Sequence, residues 1–479
     1  MSDKKIRWFT VSMIAFSMVW GFGNVVNNYA QQGISVVVSW ILIMLLYFIP
    51  YALIVGQLGS TFKNSSGGVS SWVKETTGKR KVAYYAAWTY WVVHITYLAQ
   101  KPQSVLIALG WVFRGNGAVA TNMSVQIVAL ISLVIFLLFL FLSTKGLTTL
   151  KVIGSVAGSG MLIMSILFII LAVAVPTMDP SFKMATPDMG NLKTYIPKFD
   201  LGYFATISML VFAVGGAEKI SPYVNAIDHP TKNFPKAMIF MATMIGISAV
   251  LGSVAMGMLF NSNNIPEDLM ANGAYSAFQI LGNHLGVGNF LMIVYGLAQT
   301  VVQSSALAFS IDAPLKILLS DADPEFVPQW LRKRNRKGTL VNGYLLTGIL
   351  VSIIIILPIA GIKSMSILVQ WLTNLNSIVM PMRYIWVFFA YMMLNLQIKK
   401  FHSEYKFIKN PKLGFAVGFW CFAFTILACI LGMLPKINYA ADPSSWLFQL
   451  ISNIATPIIL ILLGTILPMI AKKEQQQLN

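Results

Sequence analysis

A chain of 479 residues that is 57% hydrophobic and charged at only 10% of its positions is too apolar for a water-soluble globular protein of its size. Its net charge of +18 is scattered over short segments, which excludes the single basic face of a nucleic-acid-binding protein. The apolar runs are each roughly 20 residues long, the length of a helical bilayer crossing. No apolar–polar alternation repeats as a transmembrane barrel requires.

In chain order the runs predict twelve spans, at about 8–32, 35–58, 82–110, 121–142, 147–175, 200–225, 236–260, 287–318, 339–359, 362–397, 412–434 and 443–471. The expected fold class is an all-α polytopic membrane protein in one transmembrane domain. The first run is too long for a signal-peptide core and no small-residue cleavage site follows it, so it reads as a retained span. Lys4, Lys5, Arg7, "KETTGKRK", "LRKRNRK", "KKFHSEYKFIKNPK", Lys472 and Lys473 fall on one side. Arg114, Lys183, Lys193, Lys198, Lys363 and Lys436 fall on the other, and Lys101 and Arg383 lie within spans. The positive-inside rule then puts both termini in the cytoplasm of a cell (inner) membrane protein. Cys421 and Cys429 share one span, about 12 Å apart along a helix, too far for a disulfide, and read as packing residues.

Two spans are interrupted at similar depth. Span one reads "FSMVWGFGNVVNNYAQQG", with Gly21 and Gly23 followed by Asn24; span six reads "VFAVGGAEKISP", with Gly215 and Gly216 followed by Glu218. Glycine pairs in a membrane helix serve either close helix packing or a break, and a break is tolerated only where protein or a wet cavity surrounds it. Spans one and six are five apart and therefore oppositely oriented. Matching interruptions in such halves are the pointer to a 5+5 inverted repeat with its site at the midplane. Repeat one would cover about 8–175 and repeat two about 200–397, with helices at about 412–471 appended. Freed N–H groups at a half-helix start bind a carboxylate, and freed carbonyls opposite accept from an ammonium. A ligand with both groups is an α-amino acid or a close relative. Glu218, past the break, is expected to brace the unwound segment or an inner gate.

Other polar residues sit inside spans. His94, Tyr97 and Lys101 share a face of span three, and Lys101 faces either a cavity, where it could read an acidic side chain, or the outer interface. Gln299 and Gln303, one turn apart in span eight, line the site or bond between helices. Trp371, Asn374 and Asn376 are weaker candidates in span ten. Asp312 and Arg383 are placed near the cytoplasmic ends of their spans, in inner-gate or interface ion pairs.

"VFAVGGAE" resembles the sixth-span motif of the amino acid–polyamine–organocation superfamily. "NAIDHPTKNFPKA" (225–237) is similar to its cytoplasmic signature. "IPYALIVGQLGSTFKNSSGGVSSWVKETTG" (49–78) and "APLKILLSDADPEFVPQWLRKRNRKGT" (313–339) resemble its glutamate/γ-aminobutyrate antiporter branch. The resemblance implies that Gly21, Phe22, Gly23 and Asn24 hold the substrate carboxylate, that Phe212 closes over substrate, and that Ala213, Val214, Gly215 and Gly216 supply carbonyls to its amino group. Departures from the pattern are Phe22 in place of a small residue, Gln57 in place of a glutamate, and no long C-terminal plug. Span five lacks the mid-span lysine of some proton-coupled relatives; Lys151 lies near its cytoplasmic end. The expectation is an amino acid exchanger working by alternating access, with a proton-coupled symporter as the alternative.

An enzyme is not expected, because the four histidines form no HExxH-type arrangement. A divalent-metal transporter on a similar fold would want acids or thioethers at the first break, where only Asn24 and the nearby Met18 stand. A channel lacks a charge ring or filter motif. No metal or other cofactor is expected; the partners are a small-molecule amino acid and membrane lipid, with no nucleic acid, and the oligomeric state is open.

Overall fold

A computed structural model of the chain describes residues 7–63, 68–144, 148–319, 323–335, 338–362 and 364–478, without the side chains of 17, 18, 120, 148–158, 221–223, 225, 226, 313 and 478. Lys4, Lys5, Arg336, Lys337 and Lys363 lie outside the described residues, as do the side chains of Met18 and Lys151.

The regular structure is helical. The first elements are α1 (Trp8–Val19), α2 (Phe22–Gln32), α3 (Val36–Ile43), α4 (Ile49–Thr61) and α5 (Val69–Thr77). Then follow α6 (Arg80–Val92), α7 (His94–Arg114), α8 (Ala118–Asn122), α9 (Val125–Thr144) and α10 (Thr148–Met178). The second half contains α11 (Leu201–Ala213), α12 (Pro230–Leu259), α13 (Leu269–His284), α14 (Phe290–Leu319) and α15 (Gln329–Arg332). The chain closes with α16 (Val341–Ile356), α17 (Met365–Val379), α18 (Met382–Leu396), α19 (Pro411–Gly432) and α20 (Pro443–Leu478).

Ten helical runs among the described residues are long and apolar enough to cross a membrane. One of them, Phe22–Thr61, has 40 residues, about twice the length one crossing needs. It is divided at Gly33, whose φ of 59° favours glycine. Of the remaining sequence-predicted spans, α1 alone has only 12 residues, and α6–α7 is enriched in polar groups such as His94, Gln100, Lys101 and Gln103. The outermost helices turn apolar side chains outward at helical spacing. On α9 these are Ile127, Leu130, Val134 and Leu138; on α20, Ile459, Leu462, Ile466 and Met469. That is the reverse of a soluble helix and is stable only against lipid.

Both predicted interruptions are real breaks. Trp20 and Gly21 are extended between α1 and α2. In the other half α11 stops at Ala213, Gly216 adopts φ 120°, and the chain resumes as a 3-10 helix over Ala217–Ala226. A 3-10 helix of ten residues is unusually long and geometrically poorer than α, so its stability comes from what it packs against. A third interruption was not foreseen. Span ten divides into α17 and α18 around Met380–Pro381, because proline cannot donate to the helical ladder. Arg383, the second residue of α18, is 1% exposed and lines the central cavity, where the sequence reading placed it in an inner-gate or interface ion pair near the cytoplasmic end of its span.

Candidate functional site

A cavity of about 260 Å³ lies between the two glycine breaks. The first break gives it Gly21, Phe22, Gly23, Asn24 and Asn27, and the second gives Phe212, Gly215 and Lys219. Tyr97, Gln100, Lys101 and Ser104 of α7 face it, with Gln299 and Gln303 of α14, Thr373 of α17, and Arg383 and Tyr384 of α18. The volume falls below the roughly 300–1,000 Å³ of drug-sized sites and suits a small metabolite.

The N-terminus of α2 opens on this space. The first N–H groups of a helix have no partner within it, and no side chain caps α2 at Gly21. The Asn24 N–H returns to the Gly21 carbonyl at 2.9 Å, and N–H groups at a helix start, with the dipole behind them, attract negative charge. The Phe22 ring turns away from them onto Phe168, Phe278 and Tyr295, at 4.5, 5.8 and 6.0 Å between ring centroids, and builds an aromatic floor. Asn24 Nδ2 donates to the Ala213 carbonyl at 3.1 Å and so ties one break to the other. That carbonyl is therefore engaged in this conformation, where the sequence reading left it open for a ligand.

Lys101 lines the cavity. Its Nζ donates to Gln303 Oε1 at 2.8 Å and stands 4.3 Å from the Tyr97 ring centre. Gln299 Nε2 donates to the Tyr295 hydroxyl at 3.0 Å, so both glutamines line the wall and bond to neighbours. Gln100 joins α7 to α17 by donating to Thr373 Oγ1 and accepting from Asn376 Nδ2, at 2.7 and 2.8 Å.

Beside the second break lies a buried ion pair. Arg383 Nε is 3.1 Å from Glu218 Oε1, and the Tyr51 hydroxyl donates to Glu218 Oε2. The arginine also contacts the Tyr384 hydroxyl at 3.2 Å and His94 Nε2 at 3.0 Å. His94 Nδ1 faces the Tyr90 carbonyl at 2.7 Å and must carry the hydrogen, which leaves Nε2 to accept from Arg383. A neutral His94 thus completes the guanidinium's shell.

A family model described as amino acid permease matches residues 6–462. The chain belongs to the amino acid permease family. This permease is 69% identical over 477 residues to the aspartate/glutamate permease AcaP of Lactococcus lactis subsp. cremoris, covering 100% of this chain and 97% of that one. It is 23% identical to the inner membrane transporter YjeM of Salmonella typhimurium, over 81% of each chain. It is also 23% identical to the glutamate/gamma-aminobutyrate antiporter of Lactococcus lactis subsp. lactis, over 96% of this chain and 90% of that one.

Several predicted residues of the permease lie elsewhere. Asp312 pairs with Lys316 at 2.6 Å and accepts from the Tyr344 hydroxyl, partly exposed and away from the cavity. Trp371 Nε1 donates to Ser452. Asn374 Oδ1 receives Gln31 and Lys436, and Gln57 Oε1 receives the Phe407 N–H. Cys421 and Cys429 are buried and free. Among the described residues no group of three or more His, Cys, Asp or Glu is placed to hold a metal ion. The sequence reading missed the Glu218–Arg383 pair, its Tyr51 and Tyr384 supports, and Lys219 as a lining residue. The one available signal for Arg383 was the proline two positions before it.

Proposed function

We propose that this permease carries acidic amino acids across the membrane by alternating access, as an exchanger. The observation that carries the reading is the charge of the cavity wall. Lys101, Lys219 and Arg383 line it, and the acid beside them, Glu218, is already paired with Arg383. No described acid forms an ion pair with Lys101 or Lys219. A ligand with two carboxylates and one ammonium, such as aspartate or glutamate, offsets that surplus. The name and 69% identity of the aspartate/glutamate permease support the same class.

In this reading the α-carboxylate sits on the uncapped N-terminus of α2, the ammonium takes the Ala213 carbonyl from Asn24, and the side-chain carboxylate meets Lys101. Phe212 and Gly215 form the part of the wall that closes over it. The glutamate/gamma-aminobutyrate relative and the absence of a mid-span-five lysine support exchange. So does electrostatics, since occluding an empty cavity would bury two unpaired ammonium groups at a cost of several kcal/mol per ion. Bound substrate lowers that cost and lets the carrier cross, so that influx requires efflux. The matched breaks support the inverted repeat of five and five spans, twelve spans in all. The basic segments support cytoplasmic termini.

Lys101→Ala tests the substrate class. In competition against labelled aspartate, glutamate is expected to lose about tenfold more affinity than glutamine, a difference of about 1.4 kcal/mol. Equal losses for the two competitors would remove Lys101 from side-chain recognition.

A further inference from the structure

The central cavity is not the one built concavity of this chain. A surface groove of about 680 Å³ runs between α1, α12 and the segment before α19. At one end stand Lys232 and Lys236 with Thr231 and Tyr405; at the other, Ile239, Phe240 and Thr243. Lys232, Lys236, Ile239, Phe240 and Thr243 recur at helical spacing along one face of α12, so the stripe passes from ammonium groups to apolar side chains over about 16 Å. Ile239 and, one turn beyond Thr243, Ile247 are 50% and 56% exposed and continue the stripe into the apolar belt.

The polar end is assembled, not incidental. Lys236 Nζ stands 4.0 Å from the centre of the Trp8 ring, and Trp8 rests edge-on against Phe240 at 5.6 Å. Glu404 is the acid on the groove's lining, and Lys63 holds it at 2.9 Å. That ammonium keeps the Glu404 carboxyl below its ordinary range. No described acid pairs with Lys232 or Lys236. Two unpaired cations over an apolar channel complement a ligand with an anionic head and hydrocarbon tails.

We infer that this groove binds one anionic phospholipid, its phosphate between Lys232 and Lys236 and an acyl chain along Ile239, Phe240 and Thr243. The positively charged side of the molecule places it in the cytoplasmic leaflet, where anionic headgroups attract basic residues. The bound lipid would join α1 to α12. Because α1 leads into Val19 and Trp20 of the cavity wall, it would brace one of the two broken spans. The inference does not depend on which amino acid is carried.

The test is thermal unfolding of the purified full-length protein in detergent, titrated with phosphatidylglycerol or phosphatidylcholine. A ligand that binds only the folded state raises the midpoint in proportion to its affinity. Phosphatidylglycerol is expected to act at concentrations at least tenfold lower than phosphatidylcholine. Lys232→Gln with Lys236→Gln should bring the two lipids within twofold, while the double arginine variant keeps the preference. Lys333→Gln with Arg334→Gln, on another basic segment, should also keep it. Equal action of the two lipids on the natural protein, or an undiminished preference in the double glutamine variant, would overturn the site. Glycerol 3-phosphate acting as strongly as phosphatidylglycerol would show that a free phosphate ester, not a lipid, is the occupant.

Discussion

Gly215→Ala is expected to lower the transport rate at least about 100-fold, or about 2.7 kcal/mol, while the protein still inserts and purifies as a folded species. A Cβ at this position would overlap the hydroxyl and ring of Tyr384. That ring cannot step aside: it is fully buried, Arg383 holds its hydroxyl, and the Tyr51 ring stacks obliquely at 5.4 Å. The second break must move instead, carrying Phe212 and Lys219 with it. Gly21 and Gly23 make the contrast. A Cβ there meets nothing within 4 Å, so alanine at either position should leave the thermal midpoint unchanged and take room from the ligand. Rates within threefold of the natural protein for Gly215→Ala would show that the Gly215–Tyr384 approach is dispensable. A binding titration alongside separates lost affinity from lost movement.

Glu218→Gln and Arg383→Gln are each expected to destabilise the folded protein by about 3–5 kcal/mol, because each leaves its partner charged, buried and unpaired. The double variant should recover most of that stability without recovering transport. Its two amides can share hydrogen bonds with Tyr51, Tyr384 and His94 but supply no charge to the cavity. Thermal unfolding of the three purified variants gives the coupling directly. Losses in the double variant that equal the sum of the two singles would mean that the pair is not coupled.

How much of this was legible in the sequence depends on the kind of signal. The helical, membrane-spanning character follows from run length alone, and the two breaks follow from glycine pairs at matching depth. Lys101 could be suspected because a lysine deep in a span needs a reason. The Glu218–Arg383 pair was not legible. Its members are 165 positions apart on spans six and ten, and spacing along the chain does not show that the two segments meet. Lys219 follows the acid directly, and only the 3-10 path after Gly216 brings it to the cavity wall. Asn24 was assigned to the ligand, and its bond to the Ala213 carbonyl depends on how two broken helices face each other, which spacing along the chain cannot show. The α6–α7 span illustrates a further point: the polar residues that depress its hydropathy include Gln100 and Lys101, both on the cavity wall.

Exchange of acidic amino acids by this permease is directly measurable. Uptake of labelled aspartate into proteoliposomes, either preloaded with unlabelled glutamate or empty, tests it most directly. Rapid uptake into loaded vesicles is expected, with little into empty ones and with competition by aspartate and glutamate ahead of neutral or basic amino acids. Equal uptake into empty vesicles under an inward proton gradient would contradict exchange, and competition led by neutral or basic amino acids would contradict the substrate class.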